Sequence, residues 1–460
     1  MRPADTIAAI ATPPGRGGIG VVRVSGDLVP ALIAALLGRS LRARFATRAA
    51  FRGAAGELLD EGLALYFPAP ASYTGEHVVE LHGHGGPAVM RLLLGRCVEL
   101  GARLAEPGEF TLRAFLNGKL DLAQAEGVAD LIDAATATAA RAAARSLAGE
   151  FSRAIRGEVE ALVELRMLTE ATLDFPDEDI DFLRRADAAG RLARLRAGLA
   201  GIAARARAGA ALRAGLSIVL VGQPNVGKSS LLNRLAGDDV AIVTPIAGTT
   251  RDTVHSQIEI SGIPLSVVDT AGLRATDDPI EVLGIERAWA AVRRADLALV
   301  LVDAQRSGDG VTAADAAILG KLPSALPRIV VHNKIDLAGL APHVELGEAR
   351  GEHAGPRAHV WLCAVSGAGV DLLRREMLAA VGLHEDMSDS FLARERHLAA
   401  LRSAAQHLDA AAAHIAAAQP PLELFAEELR EAQEALAQVT GEFSADDLLG
   451  AIFSRFCIGK

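Results

Sequence analysis

Residues 222–229 read Gly222-Gln223-Pro224-Asn225-Val226-Gly227-Lys228-Ser229, a complete G-x-x-x-x-G-K-S phosphate loop. Such a loop dictates its surroundings. Its backbone N–H groups can converge on phosphate only if a buried strand delivers the chain to the turn and a helix leaves from it. Both flanks comply: Ser217-Ile218-Val219-Leu220-Val221 is an apolar strand, and Ser230-Leu231-Leu232-Asn233-Arg234-Leu235 has helical spacing. The pattern predicts a nucleoside triphosphate site, with Lys228 on the β and γ oxygens and the Ser229 hydroxyl on Mg²⁺.

The chain has 460 residues, more than one core usually holds, so two or three domains of about 150 residues are expected. It is 50% hydrophobic but only 4% aromatic, which favours long helices packed through small side chains. Up to about Arg113, short β-rich runs such as Gly20-Val21-Val22-Arg23-Val24-Ser25 alternate with Gly/Pro turns, an α+β pattern. Residues 117–210 and 391–456 have helical spacing, and residues 215–381 alternate strands with helices. Two helical blocks flanking an α/β unit imply that the unit is inserted into a helical domain, whose two halves pack together.

Three motifs follow the phosphate loop in order. Leu265-Ser266-Val267-Val268-Asp269-Thr270-Ala271-Gly272 is a buried strand ending in an acid, Asp269 for the Mg²⁺ shell and the Gly272 amide for the γ-phosphate. Ile329-Val330-Val331-His332-Asn333-Lys334-Ile335-Asp336 ends a further strand, and the Asp336 carboxylate can accept from guanine N1–H and N2–H₂. Adenine lacks both donors, so GTP is selected. Between these motifs, Thr244-Pro245-Ile246-Ala247-Gly248-Thr249-Thr250-Arg251-Asp252 is a loop of the kind that orders around γ-phosphate, with Thr250 as the second hydroxyl on Mg²⁺. Leu273 stands where many small GTPases carry a water-orienting Gln, so another residue must position the water.

The set Pro-Asn-Val-Gly-Lys-Ser (224–229), Ala-Gly-Thr-Thr-Arg-Asp (247–252) and Asp-Thr-Ala-Gly-Leu-Arg (269–274) resembles the translation-factor-related GTPases of the Era and tRNA-modification kind. The segment from Asp5 to Gly20, Pro107-Gly108-Glu109-Phe110-Thr111-Leu112-Arg113 running on to Lys119, and the terminal Phe456-Cys457-Ile458-Gly459-Lys460 narrow the resemblance to the MnmE (TrmE) family. It covers essentially the whole chain. The resemblance implies a GTPase that, with a flavin- and NADH-dependent partner in a hetero-oligomer, installs a 5-carboxymethylaminomethyl or aminomethyl group on the wobble uridine of certain tRNAs. It implies three parts: an α+β N-terminal dimerisation and folate-binding domain (1–118), an all-α helical domain (119–210 plus 382–460), and an inserted Ras-like α/β P-loop GTPase domain (211–381). A reduced folate of the 5-formyl- or methylene-tetrahydrofolate type would be the one-carbon source, held by Arg23, Glu80, Lys119 and Lys460. K⁺ would be held by Asn225, Thr244, Ile246 and Thr249, and Glu281 would orient the water. The GTP contacts implied are Asn225 to Ser230, Thr244 to Thr250, Asp269 to Gly272, Asn333, Lys334, Asp336, Cys363 and Ala364, with Lys228 and Glu281 catalytic. Cys363 departs from the usual Ser of this last loop, which puts side-chain support of Asp336 in question. A ribosome-assembly GTPase is the alternative reading, but residues 381–460 carry no G-x-x-G RNA module.

Other features read more plainly. Gly15-Arg16-Gly17-Gly18-Ile19-Gly20 matches G-x-G-x-x-G but runs into a β-rich stretch, so a turn is expected rather than a dinucleotide site. His82 and His84 read as loop polar groups, and Arg184 to Arg207 as a solvated helix face rather than an RNA stripe. Cys457 reads equally as a nucleophile toward uridine C6 or as a small buried hydrophobe. Three scattered cysteines, no apolar run of membrane length and no leader-like core point to the cytoplasm, and the net charge of −10 argues against a broad basic surface.

Overall fold

A computed structural model of the chain describes residues 5–174, 187–238, 255–269, 289–307, 311–347, 357–383, 389–417, 419–441, 452, 453, 456 and 459. The chain divides into two compact units, Met1–Ala129 with Ser146–Leu199 and Ala400–Lys460, and Asp130–Arg145 with Ala200–Ala399. Among the described residues no helix is long and apolar enough to cross a membrane.

In the first unit, strands β1 (Ile7–Ile10), β2 (Gly17–Ser25), β3 (Thr47–Arg52), β4 (Leu58–Phe67), β5 (Val78–Gly85) and β6 (Arg103–Leu104) form a sheet in the order β3-β4-β5-β2-β1-β6. Alternation along β2 buries Val22 and Val24 against Leu81, Leu93 and the helices Val29–Leu37 and Pro87–Glu99. The same alternation turns Arg23 to the other face, in register with Glu80 of β5. Cys97 lies in this core, where burial pushes its thiol up to about 12 and leaves it unreactive. Helices Glu150–Asp174 and Leu422–Thr440, from either side of the insertion, pack together, and Arg166 donates to Gln433 Oε1 at 2.8 Å.

A charge network closes the edge of this sheet. Arg113, almost fully buried, bonds Glu109 at 2.9 Å, Asp5 at 2.8 Å and Glu76 at 3.1 Å, and Arg103 bonds Glu109 at 2.6 Å. Burial works to raise the Glu109 pKa, but bonds from Arg103, the Glu106 N–H and Arg113 outweigh it and hold the carboxyl below its usual range. Asp5 is lowered chiefly by its bond from Arg103.

In the second unit, β7 (Leu216–Gly222), β8 (His255–Ile260), β9 (Ile263–Asp269), β10 (Leu297–Asp303), β11 (Arg328–Asn333), β12 (His343–Leu346) and β13 (Ala358–Leu362) form a sheet in the order β12-β13-β11-β10-β7-β9-β8. The five inner strands are parallel. Parallel strands are covered on both faces and so read as unbroken apolar runs, as in Leu297-Ala298-Leu299-Val300-Leu301-Val302. Register places the carboxyl ends of β7, β9, β10, β11 and β13 along one edge, with Leu301 opposite Gly222, Asp303 opposite Asn333 and Asn333 opposite Leu362. The turn between β8 and β9 is tied to a helical segment of the same unit, since Thr136 Oγ1 donates to the Gly262 carbonyl at 2.8 Å. Asp130 anchors the helix Ala188–Ala214 and the residue just ahead of the helix Glu395–Ile415, accepting from Arg213 and Arg394 at 2.8 Å each.

One face of the β11–β13–β12 edge holds His332 stacked on Trp361 at 4.2 Å and bonded to His359 at 3.0 Å, with His343 stacked on Trp361 at 4.1 Å. Burial first, then the neighbouring His359 and His343, push the His332 pKa down to about 4. His332 therefore charges on unfolding but not in the fold, and its stabilisation is lost as pH falls from about 6.5 toward about 4. The lowered carboxyls of Asp5 and Glu109 stabilise the fold above their ordinary values and lose that effect only below about pH 4.5. Acid titration followed by tryptophan fluorescence, which comes from Trp289 and Trp361 of the second unit, and by far-ultraviolet dichroism is expected to show that unit failing at the higher pH. Arg113→Met, which strands buried carboxylates, is expected to cost about 3–5 kcal/mol in urea unfolding at pH 7.

Candidate nucleotide-binding site

The phosphate loop leaves β7 at Gly222 and enters the helix Lys228–Asp238. Asn225 at φ 63° and Gly227 at φ 96° turn the backbone back on itself. Lys228 Nζ lies inside this turn, donating to the carbonyls of Gly222 at 2.9 Å and Gln223 at 3.1 Å. These are contacts that phosphate oxygens can exchange for their own. Ser229 and Ser230 are exposed in the first turn of the helix.

Asn333, buried at the end of β11, joins three loops. Its Nδ2 donates to the Val226 carbonyl at 2.8 Å, and its Oδ1 accepts from the Ala364 N–H at 2.9 Å. A Cβ on Gly227 would stand 2.3 Å from Asn333 Nδ2, so glycine is required by this approach as well as by its positive φ. Lys334 follows in the left-handed region at φ 68° and bonds Asp303 Oδ2 at 2.8 Å. This presents Asp336 to solvent in the first turn of the short helix Ile335–Ala338. Cys363 is buried, and its Sγ accepts from the Ser366 N–H at 3.4 Å, so the thiol closes its own loop.

Sequence reasoning missed Gln223. Its Nε2 donates to Asp315 Oδ1 at 2.9 Å, across 92 residues of sequence. Asp315 is buried in the first turn of the helix Ala313–Leu319, where Thr312 caps and bonds it. The only local signal was the T-x-x-D cap; nothing in the sequence pointed from it to the phosphate loop.

In the first unit, Arg23 bonds Glu80 at 2.9 Å, donates to the Gly459 carbonyl at 3.3 Å, and lies 5.7 and 5.8 Å from the Tyr73 and Phe110 ring centroids. Strand β2, strand β5 and the C-terminal segment thus meet at one guanidinium. Lys119 is exposed, donating to the Pro70 carbonyl at 3.1 Å.

Residues 6–119 match the model of the GTP-binding protein TrmE N-terminus, and residues 122–457 match that of the MnmE helical domain. The chain is 62% identical over 456 residues to the tRNA modification GTPase MnmE of Thiobacillus denitrificans, covering 99% of this chain and 98% of the relative. It is 60% identical to that of Dechloromonas aromatica, covering 99% of both. The chain belongs to the MnmE family of tRNA modification GTPases. Among solved structures, Aquifex aeolicus Era bound to GDP and AlF₄⁻ is 30% identical, with 42% of this chain and 66% of that chain covered and a TM-score of 0.27.

Several residues implied by the MnmE resemblance lie outside the described residues: Thr244, Pro245, Ile246, Ala247, Gly248, Thr249, Thr250, Thr270, Ala271, Gly272, Glu281 and Lys460, together with Cys457. Asp269 is placed by its backbone, at the end of β9. His82 and His84 are corrected from loop to strand. They lie on β5, where His84 Nδ1 bonds Asp60 at 2.8 Å and His82 approaches Glu80 at 3.4 Å. On the helix Ala188–Ala214, Arg191, Arg194 and Arg196 pair with Glu164, Asp187 and Asp409. Those charges are already met within the fold, in keeping with a solvated face.

Gln223→Leu is expected to weaken GDP binding about tenfold, measured by fluorescent-nucleotide titration, because the turn loses its tie to Asp315. Gln223→Glu should weaken it further by placing like charges in contact. Asp315→Asn in the Gln223→Glu background should recover most of the affinity.

Proposed function

We propose that this chain binds and hydrolyses GTP and uses that cycle to drive modification of the wobble uridine of certain tRNAs. The observation that carries the nucleotide half is the Asn333 amide bridging the Val226 carbonyl and the Ala364 N–H, which ties the loops after β11 and β13 to the phosphate loop. The tRNA half rests on full-length similarity to relatives named tRNA modification GTPases.

Lys228 exchanges the Gly222 and Gln223 carbonyls for the β and γ oxygens of the nucleotide. Asp336 accepts from guanine N1–H and N2–H₂, with the Cys363–Ala364 turn beside the base. Ser229 and Thr250 would hold Mg²⁺ with Asp269 in its shell, and Asn225, Thr244, Ile246 and Thr249 would hold K⁺; bound there, the cations would supply positive charge against the phosphates. Glu281 orients the water in place of the Gln that Leu273 replaces.

In the N-terminal part, Arg23, Glu80, Lys119 and Lys460 take a reduced folate. The Arg23 guanidinium, held by Glu80 beside the Tyr73 and Phe110 rings, suits a flat ring with a polar edge. The chain works as a homodimer through this domain, in the cytoplasm, with a flavin- and NADH-dependent partner that completes the change at uridine C5.

GTP turnover is expected to be at least about tenfold faster in K⁺ than in Na⁺ at matched ionic strength. Glu281→Ala is expected to lower kcat by about a hundredfold or more and leave GTP affinity nearly unchanged. Nucleoside analysis of bulk tRNA from a deletion strain tests the whole reading. Loss of the 5-substituted wobble uridine supports it, and an unchanged profile with accumulated ribosomal precursors overturns it.

A further inference from the structure

The charge of this chain is unevenly distributed. Overall it carries −10, yet residues 38–53 contain Arg39, Arg42, Arg44, Arg48 and Arg52 and no Asp or Glu. All five arginines are exposed. Arg39, Arg48 and Arg52 line one open cleft of about 370 Å³ at the β3 edge of the N-terminal sheet, together with Glu61. Arg48 bonds Glu61 at 2.9 Å, both side chains remaining largely in solvent. The guanidinium bonds of the others go to uncharged carbonyls: Arg39 to Arg48, Arg44 to Ala71, and Arg52 to Gly56. Their positive charge is therefore not cancelled, unlike that of Arg191, Arg194 and Arg196. Beside them Phe45 is 54% exposed, with the Arg42 guanidinium 5.4 Å from its ring centroid.

Charged residues on an edge strand can serve simply to block strand pairing. That accounts for Arg48 and Arg52 but not for Arg39, Arg42, Arg44 or Phe45, which precede the strand. Guanidiniums lining a cleft, two of the three with no carboxylate partner, are a means by which proteins meet successive phosphates, and an exposed aromatic ring backed by arginine is a platform for an unpaired base. We infer that the Arg39–Arg48–Arg52 cleft with Phe45 is an RNA-docking surface that grips the tRNA backbone and stacks one unpaired base. The inference rests on the tRNA reading above and names the surface through which the substrate is held.

The test is fluorescence anisotropy of an unmodified tRNA transcript with the full-length protein, titrated from about 50 to about 300 mM KCl. For Arg39→Glu/Arg48→Glu/Arg52→Glu, affinity near 100 mM salt is expected to fall at least about tenfold, and the slope of log K against log salt to become shallower by about 2 to 3. Phe45→Ala is expected to lose about fivefold or more in affinity with the slope unchanged. GDP affinity and melting temperature of both variants should match the parent, which separates a lost contact from a damaged fold. Parental affinity and slope in the triple variant overturn the inference, as does an absence of tRNA binding by the parent protein. If the triple variant keeps tRNA but loses the flavin-dependent partner, the surface is a protein-docking one and the RNA assignment is overturned. The modification reading is judged separately by the nucleoside profile of the deletion strain, so either can fail without the other.

Discussion

Two hydrogen bonds from one buried amide hold the nucleotide site together. Asn333 gives Nδ2 to the Val226 carbonyl and takes the Ala364 N–H on Oδ1, so the loops after β7, β11 and β13 share one side chain. Each bond satisfies a backbone group that would cost about 1–3 kcal/mol if left buried and unpaired. The parallel register makes this possible by bringing the carboxyl ends of those strands to a common edge. Gly227 has to be glycine because the amide sits where its Cβ would be. Gln223 and Asp315 brace the same loop through a bond of their own.

Local patterns were legible in the sequence wherever a motif is read by its own backbone. The phosphate loop, the strand ahead of it and the helix behind it needed no distant residue, and the apolar runs of β7, β10 and β11 announced a buried parallel sheet. The pairing of helices on either side of the insertion followed from amphipathic segments having no other partner, and Glu150–Asp174 packs on Leu422–Thr440. Long-range contacts were not legible. Nothing in Gln223 foretells Asp315, and nothing in Thr136 foretells the Gly262 carbonyl, because each bond spans about a hundred residues and depends on tertiary placement. His82 and His84 were misread as loop residues because the flanking glycines signal a turn, whereas β5 tolerates them against close neighbours: a Cβ on Gly83 would meet Asp60 Oδ2 at 2.4 Å. At Cys363 the concern was support for Asp336; the thiol instead accepts the Ser366 N–H and closes its own loop.

Charge is handled differently in the two units. The N-terminal sheet buries a network in which Arg113 and Arg103 keep Asp5 and Glu109 ionised, while the nucleotide-binding sheet buries His332 as a neutral ring against Trp361. Arg23 stands between these modes, partly buried, paired with Glu80 and donating to the Gly459 carbonyl. Gly459, near the end of the chain, thus reaches the second strand through its carbonyl.

The central claim is that the Asn333 staple presents Asp336 to guanine. Competition titration of Asp336→Asn with guanine and xanthine nucleotides tests it most directly, since an amide at this position offers a donor where guanine needs an acceptor and matches the xanthine carbonyl instead. The account predicts that GDP affinity falls about a hundredfold or more while XDP affinity rises above that of GDP. Unchanged GDP affinity, or equal loss for both nucleotides, would contradict it.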